Sequence, residues 1–224
     1  MICRPSGPSP TFGYNSASPN VNLFFTRVPS GLEVTGDTLA EMSGTIPDAA
    51  GLFPRSVEFD VVGYGCTSGT SVIGADRVHA LVRSGCKTAH VSEPVSALIA
   101  ACRELNVSRL AFLSPYIASV SQTLRDTLAA SGVTTPVFGS FDEAQEAKVA
   151  RISEQSIFDA ALELGQSDQA DCVFLSCTNL KTLNIIPKIE AALGKKVLSS
   201  NRVLAWHMAQ LSGWDGFEQS PFNL

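Results

Sequence analysis

The chain has 224 residues, 45% apolar and 17% charged, with a net charge of −5 and no Lys/Arg run. That is the make-up of a soluble globular protein with room for one domain or two lobes, and it excludes nucleic acid and anionic membrane as natural partners. No apolar stretch approaches the roughly 20 residues of a membrane span, and the opening MICRPSGPSPTFG lacks the continuous apolar core of a secretory signal.

Residues 1–20 are rich in Pro, Ser, Gly and Asn without periodicity and read as irregular. From Val21 onward, strand-like and helix-like segments alternate. Strands are expected at 21–27, 59–65, 87–91, 108–114, 134–139, 171–176 and 196–199. Helices are expected at 36–49, 71–84, 94–105, 116–131, 142–164, 180–193 and 201–212. Gly85, Gly132 and Gly194 stand where helices should stop. Such alternation implies right-handed βαβ units and an α/β fold with parallel sheets covered on both faces.

One pattern occurs twice. Asp60-Val61-Val62-Gly63-Tyr64-Gly65-Cys66-Thr67 and Asp171-Cys172-Val173-Phe174-Leu175-Ser176-Cys177-Thr178 are both apolar runs ending in Cys-Thr. After each come a helix, a strand, a serine (Ser92 or Ser199) and a further helix. The unit exceeds 50 residues, so it marks a duplicated lobe and not a solenoid. Ligands bind at the carboxyl ends of parallel strands, and each run delivers one thiol there. Symmetry-related lobes would bring Cys66 and Cys177 to one cleft.

A cysteine between a strand and a helix N-terminus is expected to have a lowered pKa, because N–H groups and the helix dipole favour thiolate. Cys66 should lie below the roughly 8.5 of a free thiol, and Cys177 higher, since two adjacent thiolates repel. Thr67, Ser68, Thr178 and Asn179 add donors for a substrate carboxylate. This suits proton transfer beside a carboxylate or thiol addition to an activated double bond. Cys3, Cys86, Cys102 and Cys172 read as core thiols, and the six cysteines suggest reduced thiols in the cytoplasm, not a disulfide framework.

Other chemistries fit less well. Six positions after Cys66 and Cys177 stand Val72 and Leu183, not the arginine of a cysteine phosphatase. No cysteines have CxxC spacing, and His79, His90 and His207 are scattered, so no metal site is expected. Gly63-Tyr64-Gly65-Cys66-Thr67-Ser68 misses the third glycine of a dinucleotide fingerprint. Tyr116 follows a strand and opens a helix. Its phenol either packs or hydrogen-bonds a substrate carboxylate, and the residues alone do not choose.

GYGCTSGT and LSCTNLKTLNIIPKIE resemble the two cysteine motifs of the aspartate/glutamate racemase superfamily. LSPYIASVSQTLRDTL resembles the tyrosine segment of its maleate cis–trans isomerase and arylmalonate decarboxylase branch. The resemblance runs from about residue 55 to 213 and assigns 21–224 to one racemase-like domain, with lobes centred on Cys66 and Cys177. It implies two pseudosymmetric flavodoxin-like lobes with the active site between them, no cofactor, a homodimer and a small carboxylate or dicarboxylate substrate. Carried over, the catalytic cysteines are Cys66 and Cys177, and the tyrosine is Tyr116. Both cysteines together favour a racemase or isomerase over a decarboxylase, which resembles this pattern but keeps the second alone. A racemase-like protein of ectoine breakdown carries similar segments, and a non-catalytic carboxylate-binding protein is the alternative from another class.

There are two departures. The superfamily's first strand and the Pro-Ser-Ser-Asn-like loop that binds a carboxylate have no counterpart in residues 1–20, where Asn15 is a poor substitute. Where maleate isomerases carry an Asn before the long central helix, this chain reads Phe141-Asp142-Glu143-Ala144-Gln145-Glu146. Acidic residues there are expected to repel a second carboxylate.

Overall fold

Apolar runs flanked by polar residues become strands covered on both faces. Leu110–Leu113 and Cys172–Leu175 are almost wholly buried, as central parallel strands require. The computed structural model describes residues 2–5, as backbone, and 21–214.

In chain order the elements are β1 (Ile2–Pro5), β2 (Phe24–Phe25), α1 (Gly36–Glu41), α2 (Ile46–Gly51), β3 (Phe59–Gly63), α3 (Thr67–Ile73) and α4 (Ala75–Gly85). Next are β4 (Thr88–Ser92), α5 (Pro94–Glu104), β5 (Arg109–Tyr116), α6 (Ala118–Ala130), β6 (Thr134–Glu143), α7 (Glu146–Val149) and α8 (Glu154–Gly165). Then come β7 (Cys172–Leu175), α9 (Ile186–Leu193), β8 (Lys196–Ser199) and α10 (Ser200–Leu211).

The strands form two four-stranded sheets, ordered β2-β1-β3-β4 and β6-β5-β7-β8. The second is parallel throughout. In the first, β3 and β4 are parallel, but β1 runs antiparallel to both β3 and β2. This α/β architecture matches the expected fold class. It corrects the reading of 1–20 as irregular throughout: Ile2 pairs with Gly63 and Cys3 with Val62. The composition of the segment hid a short strand that uses the open edge of β3, an arrangement common at the margin of a parallel sheet. Residues 6–20, with Asn15, and the Cys3 side chain lie outside the described residues.

Three expected helices break, the 36–49 helix into α1 and α2 and two more as follows, and a fourth is shortened. The 71–84 helix starts at Thr67 and divides at Gly74, whose φ of +90 favours glycine. The 142–164 helix yields its first residues to β6, which follows the long β5 as far as Glu143; α8 starts only after its Ser153 cap. The 180–193 helix starts at Ile186. The expected strand at 21–27 shrinks to Phe24–Phe25.

The lobes share a continuous core in which Val62, Tyr64, Leu113, Leu175 and Cys177 are buried together. A second cluster holds Phe112 against Phe174, with ring centroids 5.6 Å apart, beside Leu98, Leu198 and Trp206. Helix α10 ends the second half yet packs on α5, β3 and β4 of the first. His207 on α10 meets Ser92 at the end of β4, with Nδ1 2.9 Å from Oγ.

Candidate active site

Beyond the end of β3, Tyr64 and Gly65 carry the chain to Cys66, the N-cap of α3. Its extended backbone (φ −139) turns the side chain back over the helix, and Sγ accepts the Gly69 N–H at 3.3 Å. Thr70 Oγ1 donates to the Cys66 carbonyl at 2.7 Å and fixes the turn. This fit requires glycine at 69, because a Cβ there would lie 2.7 Å from Tyr64 Oη and 2.9 Å from Cys66 Sγ.

Cys177, past β7, is held differently. Its φ is +102, in the left-handed region that costs a cysteine roughly 1–3 kcal/mol. The surroundings hold it there. Its N–H donates to Ser200 Oγ at 3.0 Å, and its Sγ lies 3.0 Å from Tyr116 Oη and accepts the Asn179 N–H at 3.3 Å. The expected helix N-terminus at Cys177 is absent because α9 starts only at Ile186; one loop amide takes its place.

Cys66 and Cys177 line a single cleft of about 510 Å³ together with Thr67, Ser68, Tyr116, Thr178 and Asn179. All seven residues singled out by sequence therefore meet, but several are already engaged. Thr67 Oγ1 donates to Ser200 Oγ at 2.8 Å, and Thr178 Oγ1 to the Gly65 carbonyl at 2.8 Å. Both bonds tie one lobe to the other, so these hydroxyls are linkers in this structure. Ser68 Oγ sits 3.9 Å from Cys66 Sγ.

Four further residues belong to the site. Tyr64 lines the cleft beside Cys66, its hydroxyl 3.7 Å from Met42 Sδ. Ser200 joins the lobes. Arg27, an exposed residue, is the one basic residue lining the cleft among the described residues. Glu146 accepts from Tyr116 Oη at 3.2 Å through Oε2 and from Asn179 Nδ2 through Oε1. Its sequence signal was the acidic run at 141–146; Arg27 carried none.

Burial governs the electrostatics, and it overturns the expectation for Cys66. Removal from water pushes that thiol above its ordinary value; the Gly69 N–H and Ser68 hydroxyl pull it down and the Glu146 carboxylate pushes it up. One amide on a short helix does not offset desolvation. Cys66 is nonetheless half-buried and open to the cleft, whereas Cys177 is 3% exposed. Burial pushes Cys177 up to about 12, against the lowering by Tyr116 and the Asn179 N–H, while Glu146 and Cys66 raise it. Tyr116 is raised by burial, then by Cys177 and Glu146.

Cys102 and Cys172 are buried core thiols, as expected, whereas Cys86 is only half-buried against the core. His207 and His79 serve packing and polar contacts, His79 lying 3.8 Å from the buried Glu93 carboxylate. Among the described residues, no group of three or more His, Cys, Asp or Glu is placed to hold a metal ion, and no helix is long and apolar enough to cross a membrane.

Fold and cleft together define a two-lobed α/β protein with one cysteine from each half-repeat at a shared cavity. The profile of the arylmalonate decarboxylase family matches residues 85–224, so the chain belongs to that family. Arylmalonate decarboxylase of Bordetella bronchiseptica is 29% identical over 119 residues, 53% of this chain and 50% of that protein. Maleate isomerase of Nocardia farcinica is 24% identical over 148 residues, 63% of this chain and 59% of that protein. The chain thus spans about half the length of these curated relatives. Maleate isomerase Iso of Pseudomonas putida S16, solved with maleate as a cysteine-to-alanine variant, has a TM-score of 0.70 at 22% identity, covering 80% of this chain and 74% of that one. A crystal structure of arylmalonate decarboxylase has a TM-score of 0.65 at 23% identity, covering 80% and 78%.

Proposed function

We propose that the protein is a cofactor-independent isomerase of a small carboxylate, with Cys66 and Cys177 as its acid, base or nucleophile. The supporting observation is that the duplicated strand ends bring both thiols to one cleft. A decarboxylase needs one thiol to protonate the carbanion left by carbon dioxide. Two thiols suit proton traffic on both faces of a substrate.

In cis–trans isomerisation, Cys66 thiolate adds to the double bond, and the carbanion takes the proton of Cys177. Rotation about the new single bond follows. Cys177 then removes a proton from that carbon, the C–S bond breaks and Cys66 leaves as thiolate. In racemisation, one thiolate removes the α-proton and the opposite thiol supplies another. Burial suits Cys177 to the protonated role, and the more open Cys66 to attack. Tyr116 positions Cys177 through its 3.0 Å contact, and Ser68 and Asn179 flank the two sulfurs. A cytoplasmic location, from the reduced thiols, and a homodimer, from the resemblance, belong to the same reading.

Turnover of candidate carboxylates in deuterated water separates the routes: obligatory α-deuteration marks racemisation, and a thioether on Cys66 marks addition. Cys66→Ala and Cys177→Ala should each lose at least about 10³-fold in kcat/KM while still binding a carboxylate. Full turnover in either variant rules out the two-cysteine reading.

A further inference from the structure

The cleft holds an internal carboxylate that no role above employs. Glu146, the first residue of α7, sits among the cleft residues and bonds through both oxygens. Its partners, Tyr116 Oη and Asn179 Nδ2, are two of the five donors the sequence offered to a substrate carboxylate. The protein's own carboxylate therefore occupies that part of the cradle. Its field reaches both sulfurs, because it raises Cys66 and Cys177 alike. A field felt on both walls is felt by whatever lies between them. The charged side chains lining the cleft, among the described residues, are Arg27, Glu33 and Glu146, so the walls carry more negative charge than positive. A dianion entering there meets the Glu146 carboxylate in a cleft lined by one more acidic residue than basic.

We propose that Glu146 sets the substrate class: a monocarboxylate whose other end carries an N–H donor, as a primary amide or an ammonium group, in place of a dicarboxylate. The carboxylate faces away from Glu146, and Arg27 is the cationic side chain available to it. The N–H donor approaches Glu146 and replaces the repulsion of a second anion with a charge-assisted hydrogen bond. This rests on the reading of the cleft as a carboxylate site and adds what the second end must be.

Calorimetric titration of the full chain with three non-reacting probes tests it: succinate, its half-amide succinamate, and 3-aminopropanoate. The wild type should bind at least one N–H-bearing probe ten-fold or more tighter than succinate, and the identity of that probe separates amide from ammonium. Glu146→Gln should shift the ratio toward succinate by at least ten-fold. Equal binding of all three probes, binding of none, or a ratio unchanged in Glu146→Gln overturns the proposal. The wild-type ratio decides the matter even where the variant fails to fold. No turnover is involved, so the preference is tested separately from the two-cysteine chemistry, which the alanine variants decide.

Discussion

Cys66 and Cys177 hold equivalent places in the repeat but meet different surroundings. Cys66 caps a helix and opens to the cleft, while Cys177 is enclosed, backbone-strained and bonded to a phenol. Both thiols are raised, so at neutral pH the thiolate is the minor form. Its fraction grows about ten-fold per pH unit until the raised pKa is reached. kcat/KM should therefore climb with pH from neutral into the alkaline range, and iodoacetamide labelling of Cys66 should climb with it. A plateau already reached at pH 7 contradicts this assignment. The single phenolic proton of Tyr116 serves either Glu146 or the Cys177 sulfur, and Tyr116→Phe removes the donor that lowers Cys177, pushing that thiol still higher. A loss of roughly 10²-fold in kcat is expected, with slower alkylation of Cys177 at high pH. Unchanged kcat and unchanged alkylation would show that the phenol only packs.

Two helix starts matter at the level of elements. Gly69 lies in the first turn of α3 against Tyr64 and Cys66, so Gly69→Ala must displace one of them. A shift of about 1 Å at a reacting group costs about 10²-fold in rate, whereas an alanine suits a helix. Activity should fall while the melting temperature changes by only a few degrees, as parallel kinetic and thermal measurements will show. Helix α5 starts at Glu93, a fully buried carboxylate that accepts the Val95 N–H at 2.6 Å and the Ser96 N–H. Burial raises its pKa despite those bonds, and half-buried His79 and Ser96 are its polar neighbours. A raised folded value means that this group's contribution is fully present below the unfolded value of about 4.3 and is lost as pH rises through the folded one. Glu93→Gln keeps an acceptor for the cap and removes the buried charge. Its stability relative to wild type should rise as pH goes from about 4.3 toward neutral. Melts that stay parallel across that range would exclude Glu93 as a source of pH dependence.

For the whole molecule, the cleft depends on bonds between the two halves. Ser200 Oγ accepts from Thr67 of the first half and from the Cys177 N–H of the second. Ser200→Ala leaves two buried donors unpaired, at about 1–3 kcal/mol, and frees the strained Cys177 backbone. Denaturant unfolding should show that loss, and turnover should fall by more than the small unfolded fraction explains. Equal stability would mean that the Ser200 bonds contribute nothing to joining the lobes. The local parts of this arrangement were readable from the chain. Apolar runs gave the buried strands, their duplication implied the paired lobes, and the Cys-Thr endings placed a thiol at the carboxyl edge of each sheet, because all of these depend on neighbours in sequence. The breaks in α3–α4 and α7–α8 were not readable: strand pairing along β5 and the turn at Gly74 overrode periodicity. Nor were the thiol protonation, the linking roles of Thr67 and Thr178, or the entry of Glu146 into the cleft. Desolvation is set by what packs around a group, and the contacts of Tyr116 with Cys177 and of Glu146 with Asn179 join residues far apart in the chain. The sequence alone therefore determined which residues could meet, and tertiary packing decided their charge, their partners and the space left for a substrate.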